Sequence, residues 1–225
     1  MSATLSPVIE YPASDGQPMA ETGIHVQAII LLQQALQDFF ADRPDVFVAS
    51  DMFWYWKEGA TDDAHRTAPD VMAVEGVGNH QRRTFNSFDE GGAVPAIIFE
   101  MASRDTWRDD ENDKYRQYEQ LGVREYVMFD PEGLYLSSPI KAYRLNNSAY
   151  HRIYQRAGEF QSELGFRMRA EGTVLRLIDA ETGEPIPTRE EKAAAEKTRA
   201  DSLQAEVDRL KALLQQHNIP AGNGS

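Results

Sequence analysis

Ile29, Leu32, Leu36 and Phe40 fall at spacings of three and four, which predicts an amphipathic helix from Ile24 to Phe40 with Pro44 just past its end. Val46-Phe-Val-Ala and Met52-Phe-Trp-Tyr-Trp carry the β-branched and aromatic content of strands. Val71 to Val74 and Ala96 to Phe99 are compact apolar runs, and the second reads as a central buried strand. Between them, Gly76 to Gly92 is polar and marked by glycine, as a hairpin or a long loop is. Helical spacing returns over Asp109 to Leu121, with acids in the first turn and Gly122 placed as a C-cap. Glu125 to Asp130 reads as a strand stopped by Pro131, and residues 140–178 as short strands turning at Asn146-Asn147, Gly158 and Gly172. The order of helix, strands, helix, strand predicts a mixed α/β (α+β) domain. Its sheet is mixed, helices flank it, and the second helix makes one parallel crossover.

The character of the chain changes at Thr188. Residues 189–216 contain no Gly, Pro or aromatic residue, and Ala193, Ala200, Leu203, Val207, Leu210 and Leu214 fall on a heptad seam with charges between. That pattern predicts a terminal helix or short coiled coil, through which two copies of the chain can pair as a homodimer. The boundaries that follow are an extended Pro-, Gly- and Ser-rich arm at 1–22, a folded domain at 23–187, the charged helix at 188–217 and a frayed tail at 218–225.

Composition narrows the chemistry. Cysteine is absent, which excludes disulfides, thiolate metal sites and cysteine nucleophiles and fits a reducing compartment. The N-terminus lacks a basic stretch followed by an apolar run, and the longest apolar stretch, Val26 to Leu36, is broken by glutamines and too short to span a bilayer. The expectation is a cytoplasmic protein with no membrane partner. The net charge of −13 argues against a coat for nucleic acid, since phosphate binding relies on Lys and Arg. It leaves room for an acidic site neutralised by cations. Residues 188–225 hold six basic and six acidic side chains, so the excess acid lies before them. Residues 139–176 are locally basic: Lys141, Arg144, Arg152, Arg156, Arg167, Arg169 and Arg176 stand against Glu159, Glu163 and Glu171. They read either as solvated strand faces or as a phosphate-facing surface.

Three residues carry the candidate chemistry. Asp70 opens one predicted strand, Glu100 closes another, and Lys114 lies in the helix that follows. Two carboxylates at adjacent strand ends can share a hard cation through oxygen ligands. Such a cation lowers the pKa of bound water, and a lysine aimed at the same place stabilises negative charge developing on a phosphate. Taken singly, each has a plain alternative: a solvated turn acid, or a surface charge on a helix. No P-loop, complete GxGxxG, HExxH or GxSxG is present.

The stretches Tyr11-Pro-Ala-Ser-Asp-Gly-Gln-Pro-Met-Ala-Glu-Thr followed by His25, Ala68-Pro-Asp-Val71 and Ile98-Phe-Glu-Met-Ala-Ser103 are joined by others: Asp110, Lys114 and Tyr118 at four-residue spacing, Gly122-Val-Arg-Glu-Tyr126 and Phe129-Asp-Pro131. Together they resemble the Uma-type family of restriction endonucleases, a branch of the PD-(D/E)XK nuclease superfamily. The resemblance covers most of residues 11–145, and the charged, alanine-rich C-terminal helix is also usual in that family. It implies a restriction-endonuclease-like core and a metal-dependent endonuclease that hydrolyses DNA phosphodiester bonds with Mg²⁺, or Mn²⁺ in its place. Asp70 and Glu100 would be the metal-binding acids, the main-chain carbonyl of Met101 a further ligand, and Lys114 the catalytic cation. The superfamily's usual motif has a lysine two residues after the second acid. Ala102 stands there in this chain, so the resemblance is to a variant whose lysine has migrated to the following helix.

The remaining candidates are supporting ones. His25 either faces the site from the first helix or caps that helix. Asp110 and Tyr118 lie one turn on either side of Lys114 on one helix face, to hold the lysine by a salt bridge and to pack or hydrogen-bond beneath it. Ser103 binds phosphate or caps a turn. Asp130 ends its strand rather than binding metal, and Trp54, Tyr55 and Trp56 pack in the core or stack on bases. The absent lysine at position 102 and the high acidity motivate a second reading: a catalytically inactive nuclease fold that assembles through its C-terminal helix.

Overall fold

The computed structural model describes residues 11–14 and 22–216. Most of the arm at 1–22 and the tail at 218–225 lie outside the described residues. The chain divides into two compact units, with the break between Ile186 and Pro187.

Helix α1 (Gly23–Phe39) buries Ala28, Leu32 and Leu36 along one stripe, as its period requires, and Thr22 caps its start by accepting the His25 N–H at 3.2 Å. The strands follow as β1 (Val46–Ser50), β2 (Trp54–Tyr55), β3 (Arg66–Thr67), β4 (Val71–Glu75), β5 (Phe85–Asn86) and β6 (Ile97–Met101). A helical stretch then runs through α2 (Trp107–Asp109), a π-helical turn (Asp110–Lys114) and α3 (Tyr115–Leu121), to β7 (Glu125–Phe129). After β7 come β8 (Ile140–Asn146), β9 (Ala149–Ile153), β10 (Phe160–Gln161), β11 (Phe166–Glu171) and β12 (Val174–Asp179). The second unit contains α4 (Arg189–Gln216).

The central sheet has the order β1-β4-β6-β7-β8-β9. Only β6 and β7 pair in parallel, joined by the helical crossover that the sequence predicts; every other ladder in this sheet is antiparallel. Both parallel strands are buried along their whole length, which explains their unbroken apolar runs. Alternation along them builds two cores. Ile97, Phe99, Met101, Val127 and Phe129 face α1 and the β10-β11-β12 sheet. Ile98, Tyr126 and Met128 face Tyr118, Trp54 and Phe85 on the other side.

Several local expectations change. The segment Gly76 to Gly92 is not a hairpin: it contains β5, which pairs in parallel with β2, and a 3-10 turn at Ser87–Glu90. Phe85 supplies the apolar anchor that polarity alone conceals, since it is fully buried. In Met52 to Trp56 only Trp54 and Tyr55 pair as a strand. Both are fully buried, and the Trp54 indole N–H donates to Ser87 at 2.7 Å, so these rings belong to the core and not to a base-stacking surface. The described arm residues dock on this region: the Tyr11 ring lies 5.1 Å from that of Tyr55, whose hydroxyl donates to the Pro12 carbonyl at 2.8 Å.

The basic stretch 139–176 is largely neutralised. Arg167 and Arg169 pair with Glu159, Arg169 and Arg176 with Glu171, and Lys141 with Glu111. Most of its cations are therefore engaged on strand faces. The buried member of this set is Glu125, which takes Arg144 at 2.7 Å, the Ser162 hydroxyl at 2.5 Å and the Glu163 N–H at 3.0 Å. Arg144→Ala leaves that carboxylate without its counter-ion, and we expect a loss of about 3 kcal/mol in stability. A urea midpoint within a few tenths of a molar of the wild type would refute the assignment.

Candidate active site

Glu100, Asp70 and Lys114 meet at the end of the sheet where β6 and β7 finish and β4 begins. Ladder pairing of β4 with β6 stops at Val71 and Phe99. Beyond that point the Asp70 carboxylate takes the place of main chain, accepting the Met101 N–H at 2.6 Å. The strands thus part just where the acids stand, and the side chain of Asp70 keeps the freed amide satisfied. Met101 itself stays buried, and the next amide, Ala102, donates to Phe129 across the β6–β7 pair.

Alternation turns Glu100 to the same face as Ile98, toward the crossover helix. There it is fully enclosed: Tyr118 donates to Oε1 at 2.6 Å, and the Lys114 ammonium lies 3.0 Å from Oε2. Lys114 is also 2.9 Å from Asp110 Oδ1, so one cation is shared by two buried carboxylates. The four-residue spacing of Asp110, Lys114 and Tyr118 does place all three on one face, as expected. Asp110 to Lys114 form a π-helical turn rather than continuing an α-helix, a departure often found at functional sites. The Tyr126 hydroxyl anchors that turn by donating to the Asp110 main-chain carbonyl at 2.9 Å.

His25 is buried in the first turn of α1, with Nε2 3.8 Å from Asp70 Oδ1. It faces the site, while Thr22 performs the capping. Ser103 turns away into a local bond with Thr106 at 3.0 Å and accepts the Trp107 N–H on its main-chain carbonyl, which makes it a turn residue. Asp130 accepts the N–H groups of Gly133, Tyr135 and Leu136 and so staples the loop after its strand. Two members of the site carried no role in the sequence reading. Thr67 hydrogen-bonds the Tyr118 hydroxyl at 3.2 Å, and Tyr126 holds the π turn. Tyr126 stands within the Gly122–Tyr126 motif quoted above, whereas nothing in the pattern around Thr67 marks it.

Electrostatics sharpen the picture. Burial pushes the Glu100 carboxyl up to about 8; Lys114 opposes that rise, while Asp70 and Asp110 add to it. Burial likewise raises Asp110, against the pull of Lys114. Burial works against the Lys114 charge, yet Glu100, Asp110 and Asp70 hold it well above the ordinary lysine value. The Tyr118 phenol is raised by burial and by Glu100, so it remains a donor. Two buried carboxylates thus share a single ammonium, and the charge of Asp70 acts on the same group from the ladder end.

That donor set fits a hard divalent cation. It is all oxygen, and Glu100 Oε2 is buried with no hydrogen bond, its one ion pair among the described residues being with Lys114. Among the described residues no three His, Asp or Glu side chains stand together at ligand spacing. The protein would therefore supply two carboxylates and a main-chain carbonyl, with water completing the shell, as Mg²⁺ prefers. No helix among the described residues is long and apolar enough to cross a membrane.

A family model described as "Putative restriction endonuclease" (Uma2) matches residues 5–174. No curated protein matches the chain. Among solved structures, the chain is similar to a "putative nuclease belonging to DUF820" from Anabaena variabilis ATCC 29413. The identity is 12%, the TM-score 0.46, and the match covers 68% of this chain and 80% of that one.

Proposed function

Since the chain belongs to the Uma2 family of restriction-endonuclease-like proteins, we propose that it is a Mg²⁺-dependent endonuclease that hydrolyses phosphodiester bonds in DNA. The observation that carries this reading is the pairing of Lys114 with buried Glu100 and Asp110 beside the Asp70–Met101 junction, at the open end of the β4–β6 ladder. Asp70 and Glu100 would be the side chains that hold the cation, with the Met101 main-chain carbonyl the further ligand that the family resemblance implies; Mn²⁺ would meet the same oxygen ligands. A cation held there supplies an activated water and neutralises charge on the phosphate. Lys114 places a fixed positive charge where the phosphate oxygens become more negative, in a site with little water to screen it. Tyr118, whose hydroxyl is itself held by Thr67, fixes one oxygen of Glu100 and leaves the other to Lys114. His25, beside Asp70, restrains the acid or meets a phosphate oxygen.

The test is calorimetric titration of Mg²⁺ and Mn²⁺ into the wild type and Asp70→Asn, with plasmid nicking followed on the same samples. Asparagine keeps an acceptor for the Met101 N–H, so the ladder end stays closed while a charged ligand is lost. We expect metal binding and nicking in the wild type and neither in the variant. Undiminished nicking by Asp70→Asn, or a wild type that neither binds metal nor nicks, refutes the proposal.

A second reading is supported by α4, which exposes Leu203, Val207 and Leu210 at 59%, 42% and 48% along the heptad seam. An apolar stripe left in water favours pairing with a second copy. If cleavage is absent, assembly through residues 189–216 becomes the function to examine. Truncation at residue 188 is then expected to convert dimer to monomer in sedimentation, and an unchanged mass ends that reading.

A further inference from the structure

Lys114 has two acidic partners at almost equal distance, Glu100 Oε2 at 3.0 Å and Asp110 Oδ1 at 2.9 Å, and they differ in kind. Glu100 sits on β6 beside the Asp70–Met101 junction, where a cation is proposed. Asp110 sits across on the π turn, fully buried, with its main chain pinned by Tyr126. Among the described residues Lys114 is the only cation paired with it. A structural salt bridge requires one carboxylate. A second buried acid adds desolvation without need, unless Lys114 must at some stage do without the first.

We propose that Asp110 is a positioning residue: it retains the Lys114 ammonium at the site when Glu100 is given over to a divalent cation. This inference rests on the metal-dependent reading above. Without metal, Glu100 and Asp110 share the ammonium. With metal, Glu100 is committed elsewhere and the ammonium is repelled by a nearby divalent charge. Asp110 alone then offsets that repulsion and keeps Lys114 aimed at the site. The π turn suits this role, because it holds Asp110 and Lys114 on one short, anchored segment, so the pair stays together whatever Glu100 does. Phosphate then meets both positive charges in place at once.

Asp110→Asn keeps size and removes only the charge. The readout is acetylation of the Lys114 amine, followed by peptide mass spectrometry, in EDTA and in saturating Mg²⁺. Wild type is expected to be protected in both states. Asp110→Asn is expected to be protected in EDTA, where Glu100 still holds the amine, and labelled at least about tenfold faster in Mg²⁺. Cleavage should fall about 10²-fold with KM for DNA unchanged. Asp110→Glu, which restores the charge, should recover protection. Equal protection of Lys114 in Asp110→Asn and wild type under Mg²⁺, with Mg²⁺ bound to both, overturns this inference and leaves the nuclease reading standing. A wild type that binds no Mg²⁺ overturns both. A urea midpoint that falls sharply in EDTA for Asp110→Asn assigns the residue a purely structural role and also overturns it.

Discussion

Replacing Lys114 with alanine is expected to abolish DNA cleavage and to destabilise the metal-free protein by about 3–5 kcal/mol at pH 8. Both effects come from the same geometry. The ammonium is the cation shared by Glu100 and Asp110, each with only 1% of its side chain exposed. Without it, two like charges are left in a low-dielectric place with no counter-ion. The protein's way out is protonation, because burial already raises both acids. The loss should therefore shrink toward pH 5, well below the point where Glu100 takes up its proton, and it should also shrink when Mg²⁺ is added at pH 8. Urea midpoints in EDTA at the two pH values, repeated with Mg²⁺, measure this directly. The same loss at both pH values would mean that Lys114 acts through the packing of its aliphatic stem, not its charge.

The second large effect is expected at Glu100. Glu100→Gln should lower cleavage by about 10³-fold or more, since the amide cannot replace a charged metal ligand. Its effect on stability should be of the opposite kind. In the folded metal-free protein the Glu100 carboxyl stands at about 8, against 4.5 when unfolded. The folded state therefore binds the proton more tightly. The stability this contributes is fully present below pH 4.5 and is lost as pH rises through 8. In EDTA the wild type should weaken between those values, and Glu100→Gln should flatten that part of the profile. A variant whose stability falls with pH as steeply as the wild type would show that another group is responsible. A variant that cleaves at the wild-type rate would remove Glu100 from the mechanism.

What was legible in the chain was legible because it is periodic or local. The three-and-four spacing of α1, the unbroken apolar runs of β6 and β7, and Gly122 at the end of α3, with its positive φ, each follow from short-range rules. Those elements already place Glu100 at the end of a buried strand and put Lys114, Asp110 and Tyr118 on one face of the crossover. What tertiary structure alone decided is non-local. That Asp70 substitutes for a missing ladder bond to Met101 depends on where two strands diverge, and divergence leaves no periodic trace. The π turn at Asp110–Lys114 has the composition of an ordinary helix, and its anchor, Tyr126, lies on another strand. Thr67 reaches Tyr118 across 51 positions, and Phe85 is buried from within a polar segment. Arg144 loses its apparent freedom to Glu125 of β7, and Arg176 of β12 to Glu171 of β11, pairings that only the strand order brings about. Sequence determines which side chains are available and which face of an element they occupy. Which of them meet, and which charges are left uncompensated, is set by the packing of elements far apart in the chain.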